Sequence, residues 1–558
     1  MFRSHLDEVY DACEWGVIIM FVFRWLSLFF SLLMMCPRAT VSADPSERGQ
    51  HKRLDHFVVG LEEFPETLDP RLISFSQLEQ SLEHLMFLPL FSSSSDNLPQ
   101  FILAESARFK NSLLLEIKMR SGIRFANGRE IDADDVIATY GSLLGNSSDG
   151  PKSPRKNLFA NVLSISKASP RTLHVALKSP DASVLSQMTV GVLPKQIVSQ
   201  IRSDAPSASQ LIGLGAESGP FVLSVFGGRE FELARNPKYT GAPYGGSFPM
   251  ATKVRFKLFG SRQAIYDALL SGEVHLVQNS LDAYQLAELR AKHASRFQVQ
   301  QVVADETWFL GFNFQRKIFN DLRVRRAIAL AMDRKEILRF SLLGSGLQAK
   351  SIFPPRSYFY PESLENLSQS TREARILLES VGLSASAGQR VTVAEPATPT
   401  LFNISVPMEK NRIAIAKALA GQLKVLGINV GIDVSNYATF ANKLKSGELD
   451  AWIAPWSGFK DGDFLRFALH SQSRPPVGAN YGSYVNKELD GILDTALQNP
   501  NQTKRKELYD RAQRIIAKDF PYVLLWHGLN FAVSERSFQG FEIFPDARFT
   551  TLSSVRSR

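Results

Sequence analysis

Nucleophilic, metal and phosphate chemistry each need particular side chains at particular spacings, and this chain carries few of them. Its nine histidines are His5, His51, His56, His84, His174, His275, His293, His470 and His527. Only His51 and His56 are near neighbours, and no pair has the i, i+4 spacing on a helix that puts two metal ligands on one face. Cys13 and Cys36 are the only cysteines, and both fall in the first 43 residues. Once that stretch is removed, no disulfide, thiolate nucleophile or cysteine metal site remains. There is no Gly-x-Ser-x-Gly and no His-Glu-x-x-His, so hydrolase chemistry has no recognisable nucleophile or zinc site. There is no Gly-x4-Gly-Lys-Ser/Thr either, which excludes ATP hydrolysis by a P-loop. Gly213-x-Gly215 with Gly219 has the glycine density of a nucleotide loop, but the spacing is wrong and a strand follows. No catalytic residue, metal site or cofactor is expected.

The chain is long, 558 residues at 44% hydrophobic, enough for about three or four domains with sizeable cores. The formal charge of +9 raises nucleic acid or a membrane surface as partners. The cations are interleaved with acids along the whole chain, which makes a solvated surface and no nucleic-acid stripe. The N-terminus is different. Trp15 to Met35 is apolar apart from Gly16, Arg24 and two serines, and Val41-Ser42-Ala43 offers small residues where a signal peptidase needs them. The acidic start, with Asp7, Glu8, Asp11 and Glu14, does not suit a leader, whereas a start at Met20 places Arg24 ahead of the apolar run. Residues 1–43 therefore read as a cleaved signal peptide with its true start at Met20; the alternative is an uncleaved anchor, with Arg24 snorkelling. Cys36 follows Met35, which is too large for a lipoprotein box, so lipidation there is disfavoured.

The rest of the chain reads as alternating helices and strands. Leu115, Ile117 and Met119 alternate with Glu116, Lys118 and Arg120, a half-buried strand. Asn127-Gly128 favours a tight turn because both residues tolerate positive φ. Asp132 is placed to cap a helix whose first turn holds Asp134 and Asp135 and whose Val136, Ile137 and Tyr140 share a face. Phe57 to Leu61 reads as a strand, and residues 92–100 as a Ser- and Pro-rich loop. Thr307 to Phe314 is a strand apolar on both faces, as in a buried sheet. Asp321 caps a helix with Val324, Ala327, Ile328 and Ala331 in one stripe, and Asp333 with Glu336 forms a capping pair. Helices closed by Gly382 and Gly427, the alternating run Ile428 to Val434 and the strand from Ala451 to Trp456 follow. This helix–glycine–strand rhythm argues α/β layers.

These stretches resemble the extracellular solute-binding proteins of family 5, the peptide, dipeptide and nickel receptors of bacterial ABC importers. Arg120, Gly122, Phe125, Asn127, Gly128, Ala133, Asp135 and Val136 hold the positions of the family signature, with Asp132 in place of its threonine. Leu68-Asp69-Pro70, Ser218 to Phe221, Asn236-Pro237-Lys238-Tyr239, Leu310 to Asn313, Val324 to Ala327 and Ala331 to Arg334 resemble further family turns and helix starts, in order along the chain. The resemblance implies an α/β, two-lobed periplasmic binding protein of type II, a Venus-flytrap of mixed β-sheets flanked by helices, with an extra small domain in the first lobe. Residues 44–91, 212–304 and 528–558 would form domain I, 92–211 domain II, and 305–527 domain III, the second lobe. It implies a protein that is not an enzyme: a periplasmic receptor that captures peptides in the interlobe cleft and delivers them to permease subunits in the inner membrane, with a monomer expected. A non-transport sensor or chaperone-like binder, and a receptor for nickel, haem or another non-peptide solute, are the alternatives.

The resemblance also points to the site. Peptide receptors of the family carry tryptophan-x-x-aspartate after the strand that starts here at Ala451, and the aspartate pairs with the peptide amine. This chain reads Trp456-Ser457-Gly458-Phe459-Lys460-Asp461-Gly462-Asp463. Trp456 fits, Phe459 stands where the aspartate is expected, and the loop is about two residues short. Either Asp461 or Asp463 substitutes, since a desolvated carboxylate needs a cation, or the ligand has no free amine there and packs on Phe459. Asn313, Phe75, Ser76, Asn480 and Tyr481 lie on stretches that border the cleft in relatives.

Overall fold

The alternating stretch at Leu115 lies in a strand, Leu114–Met119, at the centre of a small antiparallel sheet. Its neighbours are Ala104–Asn111 on one side and Thr172–Leu177 on the other, with Val162–Ser169 beyond. Ile117, Phe125, Val136, Tyr140 and Val175 meet in a buried core of their own. The helix Ala133–Leu144 is capped as its sequence demands: Asp132 accepts from the amides of Asp134 and Asp135, and the Asp135 carboxylate reaches back to the Asp132 amide. The turn ahead of it differs from expectation. Only Gly128 takes positive φ, at 89°, and Asn127 shapes the turn with its side-chain oxygen, which accepts from the Arg129 amide at 3.0 Å.

The computed structural model describes residues 54–73, 76–145, 153–201, 208–241, 248–364, 367–383 and 400–558. The expected leader, with Met20, Cys36 and the Ala43 site, and Phe75 lie outside the described residues. Among the described residues no helix is long and apolar enough to cross a membrane.

Among the described residues the largest sheet has 11 strands and is organised by two long ones, Phe297–Phe312 and Tyr522–Glu535, which lie side by side and antiparallel, the short Leu347–Gln348 pairing with the second off the main order. Beyond one half of this pair come Leu276–Gln278, Leu54–Leu61, Ala251–Leu258, Glu230–Arg235 and Phe221–Gly227. Beyond the other half come Ala451–Ser457, Phe402–Pro407 and Val430–Ser435. The long strands thus belong to two sheet halves and cross from one to the other.

Each half is packed on both faces. In the second, Leu310, Phe312, Ile404 and Ile453 bury one face beneath the helices Leu322–Ala331 and Lys410–Lys424. Phe309 and Trp452 bury the other beneath Lys487–Gln498 and Gln502–Asp519. This two-sided burial is why Thr307 to Phe314 has no polar face. In the first half, Phe57, Val59, Phe231 and Phe256 face one way, and Val58, Val277 and Val533 the other. Asp321 caps the helix that follows it, through the Arg323 amide. Asp333 accepts from the Glu336 amide, a single cap; the Glu336 carboxylate is used elsewhere, accepting from Gln422.

Candidate functional site

The ladder between the two long strands breaks where they change lobe. Val303 pairs with Leu529 and Thr307 with His527, so Ala304, Asp305 and Glu306 face only Gly528. Such a bulge turns side chains out of the regular pleat. On the neighbouring strand Glu306 lies opposite Ser457. Ser457 and Gly458 are exposed, and the Gly458 amide donates to the Asp305 carbonyl at 3.0 Å. Here, at the C-terminal ends of the parallel strands Ala451–Ser457 and Phe402–Pro407, an open α/β sheet presents its ligand crevice.

Trp456 is half-buried in a stack of rings. Its indole lies nearly parallel to Phe309, centroids 5.3 Å apart, and to Tyr481 at 6.0 Å, with Phe464 against it edge-on. Tyr437, 66% exposed, follows the end of the strand Val430–Ser435. Burial, and after it Tyr437, push the Tyr481 hydroxyl above its ordinary range.

The rest of the loop turns inward. Phe459 is 1% exposed, packed among Phe353, Phe464 and Phe359 in the core of the second half. Asp461 is buried and held by Arg505, whose Nη1 donates to Oδ2 at 3.0 Å and whose Nη2 contacts Oδ1. Burial, with Asp461 and Asp181 nearby, pushes the Asp463 carboxyl well above the carboxylate range, and its Oδ1 has no hydrogen-bond partner. Lys460 donates to Thr189 Oγ1 at 3.1 Å; burial and then the Arg155 charge pull it down to about 8.

The remaining residues separate by role. Asn313 is buried, and its amide holds the carbonyls of Gly447 and Leu449. Asn480 is buried too and bonds the carbonyls of His470 and Tyr484. Ser76 caps the helix Gln77–Met86. The structure therefore brings Trp456, Ser457, Gly458 and Tyr481 to one open stretch. It places Phe459, Asp461, Asn313 and Asn480 in internal packing and bonding.

This face also meets the small domain. Asn97 Nδ2 donates to the Phe459 carbonyl at 2.7 Å and to Asp305 Oδ2 at 3.2 Å. The Tyr358 amide donates to the Asp96 carbonyl, the Ala182 amide to that of Leu497, and Ser186 Oγ to Asp461. Asp305 sits at the centre of the seam; burial first, and the Asp546 charge second, push its carboxyl up to about 7.

The model for bacterial extracellular solute-binding proteins, family 5 (middle), matches residues 99–474, about two thirds of the chain. The chain belongs to this family. It is 24% identical to the oligopeptide-binding protein AppA of Bacillus subtilis over 549 residues, covering 95% of this chain and 96% of that protein. Its fold matches the crystal structure of the substrate-binding protein CtaP of Listeria monocytogenes with a TM-score of 0.77 at 20% identity, covering 91% of this chain and all of that one. It matches AppA from Bacillus subtilis in complex with a nonapeptide with a TM-score of 0.69 at 22% identity, over 91% of this chain and all of that one. The fold is thus that of the two-lobed binding proteins of family 5.

In this family 5 protein, sequence reasoning passed over Tyr437, Glu306 and Asn97. The signal for Glu306 is visible in retrospect: apart from Thr307, Asp305-Glu306 are the only polar residues of the strand from Val302 to Phe312. Asn97 carries no signal in a Ser- and Pro-rich loop, because its partners lie 208 and 362 residues away.

Proposed function

We propose that this chain is the periplasmic, peptide-capturing component of an ABC importer, exported by a signal peptide cleaved after Ala43 and working as a monomer with permease subunits of the inner membrane. One observation carries the reading. Past its last pairing with Phe402–Pro407, at Trp452, the strand Ala451–Ser457 runs on to an exposed end beside the Trp456–Tyr481 stack. Extended peptides bind such an edge by main-chain hydrogen bonds, with aromatic walls for their side chains. The peptide-binding names of the relatives support it, as does the passive chemistry of the residues at this face. The working anatomy is domain II at 92–211 and domain III at 305–527, supported by their separate cores.

The experiment is mass spectrometry of whatever copurifies with the exported protein, followed by titration of the identified peptide into the parent and Trp456→Ala. Recovery of peptides, and binding about tenfold or more weaker in the variant, is the expected result. Recovery of a non-peptide solute, or unchanged affinity, overturns the reading.

A further inference from the structure

Of the two acids in the Phe459 loop, Asp461 is paired with Arg505, and Asp463 is half-buried beside like charges. The lobe crossing supplies a different carboxylate. The bulge leaves Glu306 opposite Gly528, and a β-carbon at 528 would stand 2.7 Å from Glu306 Oε1. The glycine is therefore the space in which the carboxylate sits. Glu306 is half-buried, and its Oε1 accepts from Trp308 Nε1. Among the described residues no Lys, Arg or His nitrogen lies within ion-pair distance of it. The neighbouring cation, Arg412, stacks on the Trp308 ring at 5.0 Å and is held by Glu409 at 2.8 Å. A desolvated carboxylate without a counter-charge is unfavourable, and a cation that pairs with it on binding relieves that strain.

We propose that Glu306 is a specificity-determining residue that selects ligands carrying a primary ammonium or guanidinium group, seated at the lobe crossing beside Ser457 and Gly458. This rests on the peptide-capture reading for the identity of the ligand, though not for its charge. Burial raises the Glu306 carboxyl above its ordinary range, as expected of a group whose counter-ion arrives with the ligand. Trp308 and Gly528 act as positioning residues, one orienting the carboxylate and the other leaving room for it.

The test compares the parent with Glu306→Gln, whose amide oxygen still accepts from Trp308 while the charge is gone. The probes are alanine peptides from dipeptide to nonapeptide, with free and with acetylated amino ends, and agmatine as a cation without peptide structure. Calorimetric titration should show the parent favouring free-amine peptides over acetylated ones by about 10- to 100-fold, the range of a charge-assisted hydrogen bond. Glu306→Gln should lose that preference while binding acetylated peptides as the parent does, and Glu306→Asp should retain part of it. A preference that survives in Glu306→Gln, or an equal loss for both peptide kinds, overturns the assignment and leaves peptide capture standing. Agmatine bound by the parent but not by Glu306→Gln, with no alanine peptide bound by either, upholds the assignment and overturns peptide capture. Binding of none of the probes overturns both.

Discussion

Asp305 is a carboxylate whose surroundings in the fold raise it far from its ordinary range. It is 9% exposed at the seam between the small domain and the second lobe, with Asn97 donating to it, Asp546 opposing its charge, and Arg548 and Arg356 near enough to favour it. Its carboxyl moves from 3.8 to about 7, a gap worth about 4 kcal/mol. A group whose folded value is raised favours the fold while protonated. Its contribution is therefore intact below about pH 4 and is lost as the pH rises through about 7. Asp305→Asn keeps an acceptor for Asn97 and cannot ionise. Its stability relative to the parent should rise by as much as about 4 kcal/mol between pH 4 and pH 8, read from urea unfolding at a series of pH values. A difference that stays flat across that range would show that Asp305 is not the buried acid described.

At the scale of elements, the helix Ala133–Leu144 illustrates what local sequence can establish. Its cap, its acidic first turn and its apolar face are all set by neighbours in the chain, and they fold as read. The capping box is reinforced by Arg129, which pairs with Asp135 at 2.5 Å. Asp132→Ala removes the acceptor for two amides and should destabilise the protein by about 1 kcal/mol, seen as a lower urea midpoint at unchanged slope. An unaltered midpoint would mean that water caps this end equally well. The Asn127 turn and the single cap at Asp333 mark the limit of such reading. Both depend on which of two local hydrogen bonds wins, and the surrounding packing decides that.

Across the whole molecule, we propose that the seam bears on closure. Asn97, Tyr358, Ala182, Ser186 and Lys460 join the small domain to the second lobe by hydrogen bonds, those of Asn97 reaching Phe459 and Asp305 beside the open face at Ser457. A ligand that binds the closed form better shifts the population toward it, so anything that weakens the closed form weakens apparent affinity. Asn97→Ala removes two seam bonds. It should bind the copurified ligand about 5- to 10-fold more weakly, and small-angle scattering of the free variant should give a larger radius of gyration. Equal affinity and equal scattering would mean that the seam persists in the open form and has no part in closure.

The amino-acid order alone determined the family, the α/β layering and the strand–turn–helix units, because alternation, caps and turn residues act within a few positions of one another. It also singled out the stretch around Trp456 as the candidate site. Which polar groups in that stretch are spare was decided only by the tertiary structure. Asp461 and Asp463 look alike in sequence, but Arg505 reaches Asp461 from 44 residues away, while burial and the Asp461 charge push the Asp463 carboxyl upward. Glu306, buried in the sequence among apolar strand residues, becomes the available carboxylate because a bulge and a distant glycine make room for it. Charge partners and burial are set by contacts between remote segments, and no spacing rule within the chain encodes them.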